Sequence, residues 1–145
     1  MGAMESDLNG HPGVVPLVQH VEAEGEPWKV VAASMLLCRT RGDVARWVIA
    51  AMFRRWPTAR EMADADEGEL REMIRPLGFA RLRAARLKKT ALFFSADPRP
   101  SPDDVATLPG VGKYVLDAYR LVVLGDRTIE PEDPALRRWL KETGG

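Results

Sequence analysis

Leu108-Pro109-Gly110-Val111-Gly112-Lys113-Tyr114 is the stretch on which the fold turns. Upstream, Ser101 and Asp104 form a capping-box pair with Pro102 at the first helical position, so Pro102–Thr107 reads as a short helix. Downstream, Lys113–Leu124 offers Val115, Leu116, Ala118, Tyr119 and Val122 for packing and reads as a second helix. Two helices joined by Leu-Pro-Gly-Val-Gly make a helix-hairpin-helix. The glycines permit a sharp turn and leave the backbone N–H groups at the next helix start uncovered. Such N–H groups, with the helix dipole, hold a phosphate without reading its base. Gly-x-Gly alone would equally suit a plain helix–helix turn; the two flanking helices favour the hairpin.

Outward from the hairpin, Gly and Pro punctuate the chain and strand-like alternation is almost absent. Residues 1–13 are polar, with Gly10, Pro12 and Gly13, and are expected to be a disordered N-terminal segment. Met1-Gly2-Ala3-Met4 lacks a basic and then apolar leader and reads as a tag remnant before a second start at Met4. Residues 14–145 then form one domain. Val14–Ala23 can be helical, and Trp28–Cys38 is apolar right round, as a buried helix would be. Asp43 opens an amphipathic helix that Pro57 stops near Trp56. Thr58–Ala63, with Thr58 and Glu61 as a capping box, and Asp66–Ile74 are short helices. Pro76-Leu77-Gly78 is a turn, Phe79–Ser95 a long helix, Asp126–Glu132 a loop, and Pro134–Lys141 a final helix. The fold class is all-α.

The 145 residues carry 21 basic and 21 acidic side chains, so the formal net charge is zero. Their distribution is uneven. Arg75, Arg81, Arg83, Arg86, Lys88, Lys89 and Arg99 face a single acid, Asp97, between positions 75 and 99. Glu61, Asp64, Asp66, Glu67, Glu69 and Glu72 crowd the segment before them. This pattern either hides a basic face that phosphates meet or marks two solvated helix faces of opposite sign. No apolar run reaches the length of a membrane span. One cysteine, Cys38, excludes an all-cysteine iron–sulfur cluster and an intrachain disulfide, and His11 with His20 is too little for a metal site. With no export signal, the expectation is an intracellular protein: cytoplasm or nucleoid in a bacterium, nucleus in a eukaryote.

The hairpin followed by a loop and an acid, Asp133, 19 positions after Tyr114, resembles the helix-hairpin-helix (HhH-GPD) DNA glycosylases, the superfamily that includes endonuclease III. Within it the chain looks most like the glycosylase domain of the methyl-CpG-binding-domain thymine glycosylases. The likeness runs from about Leu17 to Leu140. It is carried by Leu17-Val18-Gln19, Pro27-Trp28-Lys29, Arg39-Thr40, Pro76-Leu77-Gly78 with Leu82-Arg83-Ala84, Gly110-Val111-Gly112-Lys113-Tyr114 with Asp117-Ala118-Tyr119-Arg120, and Pro131-Glu132-Asp133. It implies two helical lobes with the active-site cleft between them.

Each position can be weighed chemically. Breaking an N-glycosidic bond develops positive charge on the sugar, which a carboxylate beside C1′ stabilises while it orients or deprotonates a water. Asp133 matches the family's aspartate; Glu130 and Glu132 do not. Asp133 also stands where an N-cap for the helix at Pro134 belongs, and both roles are compatible. Bifunctional members carry a lysine at the position of Tyr114, whose amine forms a Schiff base and leads to strand cleavage. A phenol cannot, so the resemblance implies a monofunctional enzyme that leaves an abasic site; ordinary packing is the alternative for Tyr114. Lys113 is turned about 100° away along the helix and is not read as a nucleophile.

By the same resemblance, Val18 and Gln19 line the pocket of a flipped pyrimidine, Gln19 bonding its Watson–Crick edge. Arg39 enters the duplex opposite guanine, whose acceptors suit a guanidinium, and Phe79 is the apolar wedge or, alternatively, a core aromatic over the turn. Leu108, Pro109, Gly110, Val111, Gly112 and Lys113 form the DNA-phosphate hairpin. Cys38 departs from the asparagine expected beside Arg39. The implied substrate is thymine or uracil mispaired with guanine in double-stranded DNA, handled by a monomer with no membrane association. No organic cofactor or redox metal is expected; a monovalent cation on the hairpin carbonyls is implied by family analogy only. Alternatives are a modified pyrimidine such as 5-hydroxymethyluracil, or a non-catalytic helix-hairpin-helix module that only binds DNA.

Overall fold

The computed structural model describes residues 26–37 and 42–143, and these are helices and turns with no strand. The elements are α1 Pro27–Leu37, α2 Gly42–Arg55, α3 Ala59–Ala63, α4 Glu67–Ile74, a 3-10 turn Arg75–Leu77, α5 Ala80–Ala96, α6 Pro102–Val105, α7 Lys113–Ala118, a π-type turn Tyr119–Val123 and α8 Pro134–Thr143. The all-α expectation is met. The segments expected at 1–13 and 14–23, the base-pocket residues Val18 and Gln19, and Cys38 and Arg39 lie outside the described residues.

The apolar circumference of α1 has the consequence read from it, since every residue from Trp28 to Leu37 is buried. Trp28 meets Phe53 of α2 edge-on at 5.3 Å, and the Lys29 ammonium lies 5.3 Å from the same ring, its stem buried and its charge over the π face. α1 contacts α2 and α5, and also α7 and the π-type turn. Helices α2 to α5 pack among themselves as one lobe, the hairpin and the helical segments after it make the other, and α1 runs between them. The buried apolar side chains of both join one continuous core that includes Met62, Leu70, Leu87, Phe94, Val105, Tyr119 and Leu136.

The capping signals act as expected. Thr58 Oγ1 accepts the Glu61 N–H at 3.0 Å and donates to the Glu61 carboxylate at 2.9 Å. Ser101 Oγ accepts from Asp104 N at 3.2 Å, and Asp66 Oδ2, for which no capping role is read in the sequence, accepts from Glu69 N at 2.9 Å.

The helix expected at Pro102–Thr107 already ends at Val105, other ends shift by one or two residues, and two differences bear on the site. Lys113–Leu124 is not one regular helix: α geometry ends at Ala118, and the Leu124 N–H reaches back five residues to the Tyr119 carbonyl at 3.2 Å. Tyr119 is fully buried against Phe94, and its hydroxyl donates to the Pro100 carbonyl at 2.6 Å, a tertiary anchor that local propensity does not reveal. Phe79 does not begin α5. It precedes the helix in the left-handed region at φ 52°, ψ 41°, next to Gly78 at φ 85°.

Candidate active site

The hairpin has the geometry its residues imply. α6 ends at Val105, the Leu108 N–H bonds the Val105 carbonyl at 3.1 Å, and the Val111 N–H bonds the Leu108 carbonyl at 3.2 Å. Gly110 makes the turn at φ 90°, a conformation costly for any residue with a Cβ. A Cβ there would also lie 3.1 Å from both Arg86 Cδ and Met35 Cε. Gly112 is different. Its φ of −107° is open to any residue, and a Cβ would project into empty space. Its value is therefore what it leaves bare: the start of α7, where the helical ladder opens with Leu116 N–H to Gly112 O at 3.0 Å. The N–H groups of Gly112 and Lys113 precede that bond and have no acceptor inside the helix.

Beside the hairpin is a cleft of about 380 Å³ between the end of α1, the start of α5 and Gly110. Its walls include Leu36, Leu87, Arg83 and Arg86, and its rim Phe79 and Leu82. Phe79 is 78% exposed and Leu82 49% exposed, so Phe79 is not the core aromatic that was its alternative reading. The tertiary structure thus brings Phe79 and Gly110 onto one cleft. Among the described residues Tyr114 and Asp133 do not line it. Tyr114 is half-buried on α7 and packs on the core.

Asp133 is half-buried at the end of the loop 126–133. Its Oδ2 accepts the Leu136 N–H at 2.9 Å, making it the N-cap of α8. The loop is tied down along its length. Asp126 Oδ1 accepts from Thr128 N at 2.9 Å and Thr128 Oγ1 at 2.6 Å, bonds that hold its carboxyl below the usual range. Arg127 donates to the Leu140 carbonyl, Ile129 and Pro131 are buried, and Arg137 Nε donates to the Pro131 carbonyl at 2.7 Å. Lys113 Nζ donates to the Glu130 carbonyl at 3.0 Å and to Asp117 Oδ2 at 2.8 Å. The loop of Asp133 is therefore seated against the first turn of the helix that bears Tyr114. Neither Asp117 nor the Glu130 carbonyl is given this role by the sequence reading, although the i, i+4 spacing of Lys113 and Asp117 was a signal for the ion pair.

The uneven charge resolves largely into bonds within the fold. Arg83 donates to the Leu77 carbonyl at 3.1 Å, Lys88 to the Ala65 carbonyl and Arg99 to the Val123 carbonyl at 2.9 Å, each at the end of a helical turn. On the acidic side, Glu69 makes a two-point pair with Arg55, Glu67 pairs with Arg71 and Asp64 with Arg60. Arg86, on the cleft wall, and the exposed Arg81 and Lys89 remain on the outer side of α5.

The model of the HhH-GPD superfamily of base excision DNA repair proteins matches residues 32–144. A methyl-CpG-binding domain protein 4-like protein of Arabidopsis thaliana is 34% identical over 113 residues, covering 77% of this chain and 24% of that protein. A thymine/uracil-DNA glycosylase of Pyrobaculum aerophilum is 32% identical over 105 residues, covering 70% of this chain and 46% of its own. Among solved structures, a thermostable thymine-DNA glycosylase shares the fold, with a TM-score of 0.63 at 24% identity over 70% of this chain and 49% of the other. The chain spans less than half the length of each of these relatives.

Proposed function

The chain belongs to the HhH-GPD superfamily of base excision DNA repair proteins, and from that premise we propose that it is a monofunctional DNA glycosylase acting on thymine or uracil opposite guanine. The observation that carries the reading is the placement of Asp133: a carboxylate fixed as a helix cap, on a loop seated against the hairpin helix. One Asp133 oxygen is oriented by the Leu136 N–H. The other is left to face the sugar, where it stabilises oxocarbenium-like charge and draws a proton from the attacking water. Water adds to C1′ as the C1′–N bond breaks, and the base leaves with the bonding pair.

The bare N–H groups of Gly112 and Lys113 hold a DNA phosphate, and Phe79 fills the stack vacated by the flipped base. Tyr114, in place of an amine, supports hydrolysis without strand cleavage. Val18, Gln19 and Arg39 are assigned to the base pocket and the opposite guanine by resemblance alone. A monovalent cation on the hairpin carbonyls near Leu108 and Val111 is likewise assigned by resemblance alone.

The test is a panel of duplexes carrying G·T, G·U, A·U and 5-substituted uracils, incubated with wild type and Asp133→Asn. Release of free base with alkali-dependent breaks, lost in the variant, is the expected result. Breaks without alkali would refute the monofunctional assignment. Preference for a 5-substituted uracil would move the substrate, and release from no duplex would leave a DNA-binding module.

A further inference from the structure

We propose that Lys113 is a positioning residue, clamping the loop that carries Asp133 onto the hairpin helix, and that its ammonium is not a phosphate contact. The inference rests on the glycosylase reading for its kinetic consequence but not for its structural one. Lys113 Nζ lies 2.8 Å from Asp117 Oδ2 and 3.0 Å from the Glu130 carbonyl oxygen. The Asp117 side chain is only 9% exposed, whereas that of Lys113 is 50% exposed. A carboxylate so buried is costly without a cation, so the pair holds the ammonium at this place. A second donor of the same ammonium is then directed at Glu130, three residues before Asp133.

From the far side Arg137 holds the adjacent Pro131 carbonyl at 2.7 Å, and Arg137 belongs to the helix that Asp133 caps. Two successive carbonyls of the loop are thus gripped by cations from the helices before and after it. Of the two grips, only Lys113 ties the loop to α7 and hence to Tyr114. Three residues of chain reach about 10 Å at most, so the Glu130 anchor limits where the Asp133 carboxylate can stand. Holding a reacting group in register in this way raises the rate rather than the affinity. The backbone N–H of Lys113 remains available to the phosphate, so side chain and main chain divide two tasks.

The test compares Lys113→Met, Lys113→Arg and Asp117→Asn with wild type in three measurements: amide exchange of the free protein, binding of an uncleavable duplex across a salt series, and single-turnover base release from G·U and G·T duplexes. We expect Lys113→Met to speed exchange at Ile129, Glu130 and Glu132 and to slow base release roughly 10- to 100-fold. Duplex affinity and its salt slope should stay as in wild type. Lys113→Arg should recover most of the loss, and Asp117→Asn should move exchange and rate in the same direction as Lys113→Met. Weaker binding with a salt slope reduced by about one, and unchanged exchange, would instead make Lys113 a phosphate contact and overturn the proposal. Should wild type release no base at all, the glycosylase reading fails, while exchange in the free protein still decides the clamp. If Lys113→Met does not fold, Lys113→Arg and Asp117→Asn carry the same measurements.

Discussion

Asp133 Oδ2 accepts the backbone N–H of Leu136 at 2.9 Å, so the carboxylate assigned to the chemistry also starts α8. One side chain serving two roles allows them to be separated by substitution. Asn caps a helix about as well as Asp, so Asp133→Asn should leave the melting temperature near wild type. Asp133→Ala should cost about 0.5–2 kcal/mol by thermal or urea unfolding. Base release should fall at least ~100-fold in both. Equal stability loss in the two variants would mean that the cap is not what fixes this carboxylate.

Tyr114 is half-buried on the first turn of α7. Placing an amine there with Tyr114→Lys should permit an imine with the sugar after base loss, because a primary amine can attack C1′ and a phenol cannot form that bond. Borohydride should trap a protein–DNA adduct with the variant and none with wild type. Trapping with wild type would assign the amine elsewhere and end the monofunctional reading.

The hairpin glycines should respond in opposite ways. Gly110→Ala meets both a left-handed φ and atoms of Arg86 and Met35 at 3.1 Å, and should destabilise the fold by roughly 1–3 kcal/mol. Gly112→Ala meets open space at an ordinary φ, so its unfolding midpoint should stay close to wild type. Its methyl would cover the bare start of α7, and duplex affinity measured by anisotropy should weaken. Unimpaired binding by Gly112→Ala would remove the phosphate from this turn.

Phe79 is exposed and in the left-handed region, where a side chain is strained. Phe79→Gly should raise stability by up to about 1 kcal/mol, since it relieves the backbone and uncovers no core. Base release should slow, and Phe79→Leu should retain more of it than Phe79→Gly does. A loss of stability in Phe79→Gly would show that the ring packs in solution.

Tyr119 is buried with its hydroxyl on the Pro100 carbonyl, and burial raises its pKa above 10.0, offset partly by Arg99 and reinforced by Asp97. A raised folded pKa means that the unfolded chain gives up this proton first. The contribution is therefore complete below the unfolded value near 10.0 and is lost as pH climbs through the folded one. Urea midpoints should drop above about pH 10 in wild type, and the Tyr119→Phe variant should show less of that drop.

How much of this was legible in the sequence can be seen residue by residue. Thr58 and Ser101 announced their helices because capping is settled within three residues of chain. The apolar circumference of Trp28–Leu37 announced a buried helix, and Gly110 announced a turn. Each of these signals is local, or depends only on which faces of a helix are apolar.

The positions that escaped were set by contacts outside their own helices. Arg83, Lys88 and Arg99 left a basic face and a solvated helix face both open, yet each donates to a carbonyl, at Leu77, Ala65 and Val123. The π-type turn at Tyr119 is stabilised from Pro100 and Phe94, 19 residues away in the case of the hydrogen bond. The exposure of Phe79 depends on how Gly78 turns the chain before α5.

Taken by itself, then, the sequence determined an all-helical chain, a glycine hairpin and an acid 19 positions beyond Tyr114, because helical periodicity, capping and turn chemistry act over a few residues. Tertiary structure alone decided where those pieces meet. It set Glu130 on Lys113, Tyr119 on Pro100, and Phe79 and Gly110 on one cleft, because such arrangements form only once packing has closed the loops between them.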